Sequence, residues 1–356
     1  MPMKYLHPRP SSIVAALYTA RDLEVDVAIL HGPSGCSFKH ARLLEEDGMR
    51  VLTTSLADNE FIFGGQKPLE EALRYAEEHF SPKRMAVVGT CVAMIIGEDL
   101  RSAIESAGII TPTITVDIHA GFAENIAGVL ATLEAAEAAG WITPEELARQ
   151  HILMEKANEV ERERGAASKA YIEPSRGDLK HVAAQCLLEC ARSGRRGIAI
   201  LNAKKETAYM FADALIALHD TCPDADITYL ANLAGRGLPK VRADAERIRS
   251  EMAERGVNVE CIGALDEYGA NGDALGERIQ ALTPAFALIA GVPHAIPPAY
   301  TYGVDCFSIT NGPRQVEPLR TIGHQHVMVE VDLHPKTLGV RSIVGSEFGA
   351  VLRSLT

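Results

Sequence analysis

The sequence predicts an α/β protein of two doubly wound, parallel-sheet (Rossmann-like) units joined by a helical segment. Three observations carry this. Short apolar strand-like runs alternate with amphipathic helix-like runs over the first 120 residues and again from about residue 197. The stretch between them, from about Glu124 to Ala191, is mainly helical. The length of 356 residues exceeds that of one average domain. Repeated β–α alternation calls for parallel strands with right-handed crossovers. The expected division is a first α/β domain at 1–125, a helical connector at 126–195, and a second α/β domain with a C-terminal helix at 196–356.

In order along the chain, Val25–Leu30 is a buried-strand run ending in His31-Gly32-Pro33-Ser34-Gly35-Cys36, and Phe38–Asp47 follows as a helix. Arg50–Thr54 is strand-like and leads into a loop, Leu56–Gln66. Leu69–His79 is an amphipathic helix behind Pro68, a residue suited to a first turn. Arg84–Val88 is the next strand; it ends at Gly89-Thr90-Cys91, with a helix running on through Ser106 and a strand at Thr113–Ile118. In the helical stretch, Thr143 and Pro144 read as N-cap and first helical residue. Later strands are expected at Gly197–Leu201, Asp226–Leu230, Val257–Ile262, Phe286–Ala290, Cys306–Ile309 and Val327–Val331, before a final helix over Gly345–Leu355.

Composition excludes several classes. Hydrophobic content of 47% and charged content of 23% are those of an ordinary globular protein. No apolar run reaches the roughly 18–20 residues that span a bilayer. The first residues lack the apolar centre of a signal peptide, so a cytoplasmic location is expected. A net charge of −12 argues against nucleic acid or an anionic membrane as partner. The seven cysteines, at 36, 91, 186, 190, 222, 261 and 306, form neither paired zinc spacing nor a ferredoxin run. Any metal site must therefore be assembled from distant segments. No G-x-x-x-x-G-K-S/T phosphate loop is present, so this chain is not expected to hydrolyse ATP.

In open parallel sheets, functional loops leave the carboxyl ends of strands. Cys36 and Cys91 each lie just past such an end, close behind a glycine, and Cys91 opens a helix whose first amides favour a thiolate. The pattern alone fits a metal-binding pair or two ordinary buried cysteines. Cys186 and Cys190, one helical turn apart, lack further partners and read as structural. His324 and His326 are expected to alternate on a strand edge, facing similar directions, as a structural element.

Four motifs then occur in order: Gly32-Pro33-Ser34-Gly35-Cys36, Phe63-Gly64-Gly65, Thr90-Cys91 with Ile96-Gly97-Glu98-Asp99, and Gly121-Phe122. Together they resemble the nitrogenase component 1 family over roughly the first 125 residues. The resemblance implies that Cys36 and Cys91 bind an iron–sulfur cluster. The family's further cysteine, about 25 residues before the first motif, has no counterpart here. A [4Fe–4S] cluster takes four ligands, so the resemblance implies a homodimer in which two chains share one cluster.

Among small members of that family, the likeness implies reduction of a nickel tetrapyrrole and closure of a lactam ring, on the route to coenzyme F-430 of methanogenesis. Nickel would enter only with the substrate. Electrons would come from a separate P-loop ATPase that carries its own cluster. Acid–base candidates are His31, His119 and His294, with Glu60, Lys39 and Arg42 as substrate contacts, the two cations for its carboxylates. Each of these also reads as an ordinary loop or surface residue. Two other functions remain open: a related reductase of another tetrapyrrole or sulfur compound, and a non-catalytic cofactor-assembly scaffold. A ligand binder without metal is disfavoured by the ordered motifs.

Overall fold

In the computed structural model, residues 11–118, 125–166, 172–330 and 336–355 are described. They gather into two compact units, one drawn from Pro8–His151 with Leu238–Lys240, the other from Ile152–Gly237 and Val241–Thr356. The segment 126–195 contributes helices α7 (Ile126–Ala138), α8 (Pro144–Glu163) and α9 (Lys180–Arg192), and the division falls within α8.

The first unit is built on four parallel strands in the order β2-β1-β3-β4: β1 Val27–His31, β2 Arg50–Thr53, β3 Met85–Gly89 and β4 Thr113–Asp117. Every residue of the two central strands, Val-Ala-Ile-Leu-His and Met-Ala-Val-Val-Gly, is buried, as expected when helices cover both faces of a parallel sheet. Helix α1 is Ser12–Asp22 and α2 is Phe38–Glu46. Helices α4 (Gln66–Phe80) and α6 (Leu100–Ala107) pack Leu69, Leu73, Ala76, Leu100, Ala103 and Ala107 against Val27, Ile29, Met85 and Val87.

The segment Leu56–Gln66, read as a loop, contains a short helix, α3 (Asp58–Phe63). Its capping is local: Glu60 folds back to accept from the Ala57 amide at 2.9 Å. The helix after Cys91 is broken into α5 (Cys91–Ile96) and α6, because Gly97 takes a left-handed conformation and Asp99 caps the second piece through the Ser102 amide. The cap at Thr143 forms as the sequence predicts, its hydroxyl accepting from the Glu146 amide at 3.2 Å. Thr143→Ala is expected to cost about 1 kcal/mol, measurable as a lower urea midpoint.

The second unit holds six parallel strands in the order β10-β9-β8-β5-β6-β7. They are β5 Gly197–Asn202, β6 Ile227–Ala231, β7 Glu260–Cys261, β8 Phe286–Gly291, β9 Asp305–Thr310 and β10 His326–Val329. The order reverses between β5 and β8, the switch point at which a doubly wound sheet opens at its carboxyl edge. Ile198, Ile200, Ala287 and Ile289 pack with Leu275 and Ile279 of helix α10 (Gly272–Leu282). The strand expected at Val257–Ile262 is only two residues long, because this edge strand has one neighbour and pairs only where Leu230 and Ala231 reach it. Val331 lies outside the described residues. Among the described residues, no helix is long and apolar enough to cross a membrane.

Candidate metal centre

β1 and β3 are neighbours in register, His31 opposite Gly89, so their following loops leave the same edge side by side. The Thr90 amide donates to the His31 carbonyl at 3.0 Å, extending the pairing one step past the strands. From there one loop turns through Pro33, whose carbonyl accepts from the Cys36 amide at 3.0 Å. The other enters α5 at once, with Thr90 extended as N-cap and Cys91 as first residue. Gly32 is required by the approach: a Cβ there would sit 2.1 Å from Thr90 Oγ1. Among the described residues, and apart from Gly35's own chain neighbours, no heavy atom lies within 4 Å of the Cβ position at Gly35, so there is open space beside the Cys36 loop.

The two thiols are thereby brought into electrostatic contact. Burial first, and then the neighbouring Cys91, push the Cys36 thiol above its ordinary pKa. A Cys36 thiol whose ionisation is opposed in this way suits a bound cation, which reverses that balance and favours the thiolate. The hydroxyl of Thr90, the residue before Cys91, is buried against Gly32 with no hydrogen-bond partner, a donor left over from the fold. Thiol pair, open space and spare donor fit a sulfide-containing cluster. Among the described residues, no group of three or more His, Cys, Asp or Glu side chains is placed to hold a metal.

Behind the cysteine loops runs a line of buried polar contacts. His31, fully buried, places Nδ1 3.1 Å from Thr54 Oγ1, which also accepts from the Gly32 amide at 3.0 Å. Its Nε2 lies 3.4 Å from Glu98 Oε2, and Glu98 Oε1 accepts from the Gly65 amide at 2.5 Å. Burial lowers the His31 pKa, against the pull of the Glu98 carboxylate.

Of the other expected site residues, Glu60 caps α3, and Lys39 and Arg42 are exposed on α2, three and six positions after Cys36, with Arg42 paired to Glu45. His119 lies outside the described residues. His294 belongs to the second unit, buried after β8 with Nε2 3.5 Å from Glu161 Oε1. Glu161 also meets Lys204 Nζ at 3.2 Å and Gln315 Nε2 at 3.1 Å, and Lys204 stands 5.0 Å from the centre of the Tyr268 ring. Burial pushes the Glu161 carboxyl up, but Lys204 and His294 outweigh it and hold it well below the usual carboxylate range. His324 and His326 face opposite sides of β9, not one side: His324 meets Ser308, and the His326 ring stacks on Phe307. The strand begins only at His326, so strict alternation does not extend back to His324. Sequence reading missed Thr54, Glu161, Lys204 and Glu98, of which only Glu98 stands within a recognised motif.

A family described as nitrogenase component 1 type oxidoreductase matches residues 11–136. The chain is 52% identical to the protein named Ni-sirohydrochlorin a,c-diamide reductive cyclase complex, component CfbD, of Methanosarcina acetivorans, over 98% of this chain and 97% of that one. It is 49% identical to the protein of the same name from Methanothermobacter thermautotrophicus, over 98% of both. The solved structure "Nitrogenase Cp1 at pH 6.5" is similar with a TM-score of 0.35 and 16% identity, over 93% of this chain and 79% of that one. The family match and the near full-length relatives define a nitrogenase-like oxidoreductase. Within that class, the chain belongs to the CfbD family.

Proposed function

We propose that this chain is the substrate-reducing component of a cytoplasmic reductive cyclase acting on Ni-sirohydrochlorin a,c-diamide in coenzyme F-430 biosynthesis. The observation that carries the reading is the juxtaposition of Cys36 and Cys91 on adjacent strand ends of a chain half identical to CfbD proteins. Cys36 and Cys91 of two chains would hold one [4Fe–4S] cluster, which would supply one-electron transfer chemistry at this site. The electrons come from a separate CfbC-like P-loop ATPase, and nickel belongs to the substrate. The homodimer reading is supported by exposed apolar side chains on the short helices that flank the cysteines, Phe38 on α2, Ile62 and Phe63 on α3 and Ile95 on α5, which a second chain would cover.

The chain's own residues supply the rest. The buried Thr90 hydroxyl, just before Cys91 and against Gly32, would be available as a donor to the cluster's surroundings, and Gly32 lets the Cys36 and Cys91 loops approach each other. His31, kept below its ordinary pKa by burial, is neutral near pH 7 and holds a single ring proton. Lys39 and Arg42 present exposed cations to substrate carboxylates, and Glu60 on α3 is the further substrate contact. His119 and His294 complete the acid–base set, His294 backed by the Glu161 carboxylate.

The test is anaerobic turnover of Ni-sirohydrochlorin a,c-diamide with the ATPase partner and ATP, comparing wild type with Cys91→Ser. The expected result is ring reduction and lactam closure by wild type and loss of both in the variant. Binding of cluster and tetrapyrrole without turnover would instead identify an assembly scaffold.

A further inference from the structure

Glu98 is not among the cysteine-bearing loops, yet its carboxylate reaches two segments that frame them. Its side chain is 7% exposed and projects from the joint between α5 and α6. One oxygen takes the Gly65 amide at 2.5 Å, and the other faces His31 Nε2 at 3.4 Å. Across the imidazole, Thr54 joins His31 to the Gly32 amide. Gly65, Glu98, His31, Thr54 and Gly32 thus form one line of contacts linking four segments. Both ends of that line are tightly packed. A Cβ at Gly65 would stand 2.9 Å from His31 Cε1 and 2.8 Å from Leu56 Cδ2, and Gly32 bears on Thr90, the residue before Cys91.

We infer that Glu98 is a positioning residue that acts by its reach rather than its charge, fixing the strand-end loops so that Cys36 and Cys91 face each other. The inference rests on the reading of those cysteines as the metal-binding pair, and its geometry is that of this chain's own residues. Reach and charge separate cleanly in two substitutions. Glu98→Asp keeps the charge but is shorter by one methylene, so it cannot span both contacts. Glu98→Gln keeps the length. Its carbonyl accepts from Gly65, and its amide donates to His31 Nε2 once the ring proton moves to Nδ1, facing Thr54.

The experiment uses the full-length metal-free chain and dibromobimane, a short thiol cross-linker, with the Cys36–Cys91 link quantified by peptide mapping. Near-UV circular dichroism confirms that each variant is folded. The link is expected to form in Glu98→Gln within about twofold of the wild-type rate, and about tenfold more slowly in Glu98→Asp, the scale of one lost hydrogen bond to a charged group. In iron-loaded protein, the electron paramagnetic resonance line shape should follow the same order, changed in Glu98→Asp and kept in Glu98→Gln. The reverse order, with the aspartate variant intact and the glutamine variant slow, would overturn the inference in favour of a charge role. Equal rates in all three proteins would overturn it as well. If even wild type takes up no iron while the cross-linking order holds, the positioning stands and the cluster reading fails.

Discussion

Anaerobically purified protein is expected to carry about two irons and about two acid-labile sulfides per chain, and Cys36→Ala and Cys91→Ala are each expected to lose nearly all of both. Each chain offers one pair of thiols at the paired ends of β1 and β3, and the described residues provide no third metal-binding side chain beside them. In the proposed homodimer, a four-ligand cluster is then completed by the two-fold partner. Removing one cysteine removes two of the four ligands in the dimer, so the effect should be close to all-or-none. Both thiols are only half-buried, which limits the cost of the substitutions to folding. About four irons per chain would keep the cluster but rule out sharing, and would require another ligand from the same chain. No iron at all, with both variants folded, would return Cys36 and Cys91 to ordinary partly buried cysteines.

The parts of this site legible in the sequence are those set by local chemistry. Apolar runs ending in Gly-rich turns marked the carboxyl ends of β1 and β3, and Thr143 followed by Pro144 marked a helix start. Cys36 and Cys91 could be placed at one sheet edge in advance because strand-end loops of one parallel sheet share an edge, and β1 and β3 are neighbours there. The short helix α3 was missed because its stabilisation, the Glu60 carboxylate turned back on the Ala57 amide, has little apolar periodicity to announce it. Glu98 shows the harder limit. Its partners Gly65 and His31 become neighbours only when strand order is fixed, and no spacing rule connects them. The same holds for Glu161, which meets His294, Lys204 and Gln315 from three different loops. His324 was legible as a histidine near a strand, but its burial and its contact with Ser308 were not.

That burial makes His324 a source of acid lability in the second unit. The side chain is 2% exposed, with Nδ1 2.5 Å from Ser308 Oγ and Nε2 without a hydrogen-bond partner. Burial, reinforced by nearby His294, pushes its pKa down to about 4. The native state therefore holds this imidazole neutral at pH values where the unfolded chain, with an ordinary histidine, binds a proton. Stability from this source is fully present above about pH 6.5 and is lost as pH falls toward 4, because proton uptake then favours the unfolded state. The expected loss is about 2 kcal/mol between pH 7 and pH 5, and roughly 3 kcal/mol once both states are protonated. His324→Gln cannot take up that proton and keeps a polar group toward Ser308. Its urea midpoint should fall less than the wild-type midpoint between pH 7 and pH 5. Some slope should survive in the variant, since His31 in the first unit is also held below its ordinary pKa by burial. Equal acid sensitivity in wild type and variant would mean that His324 is not the group taking up the proton.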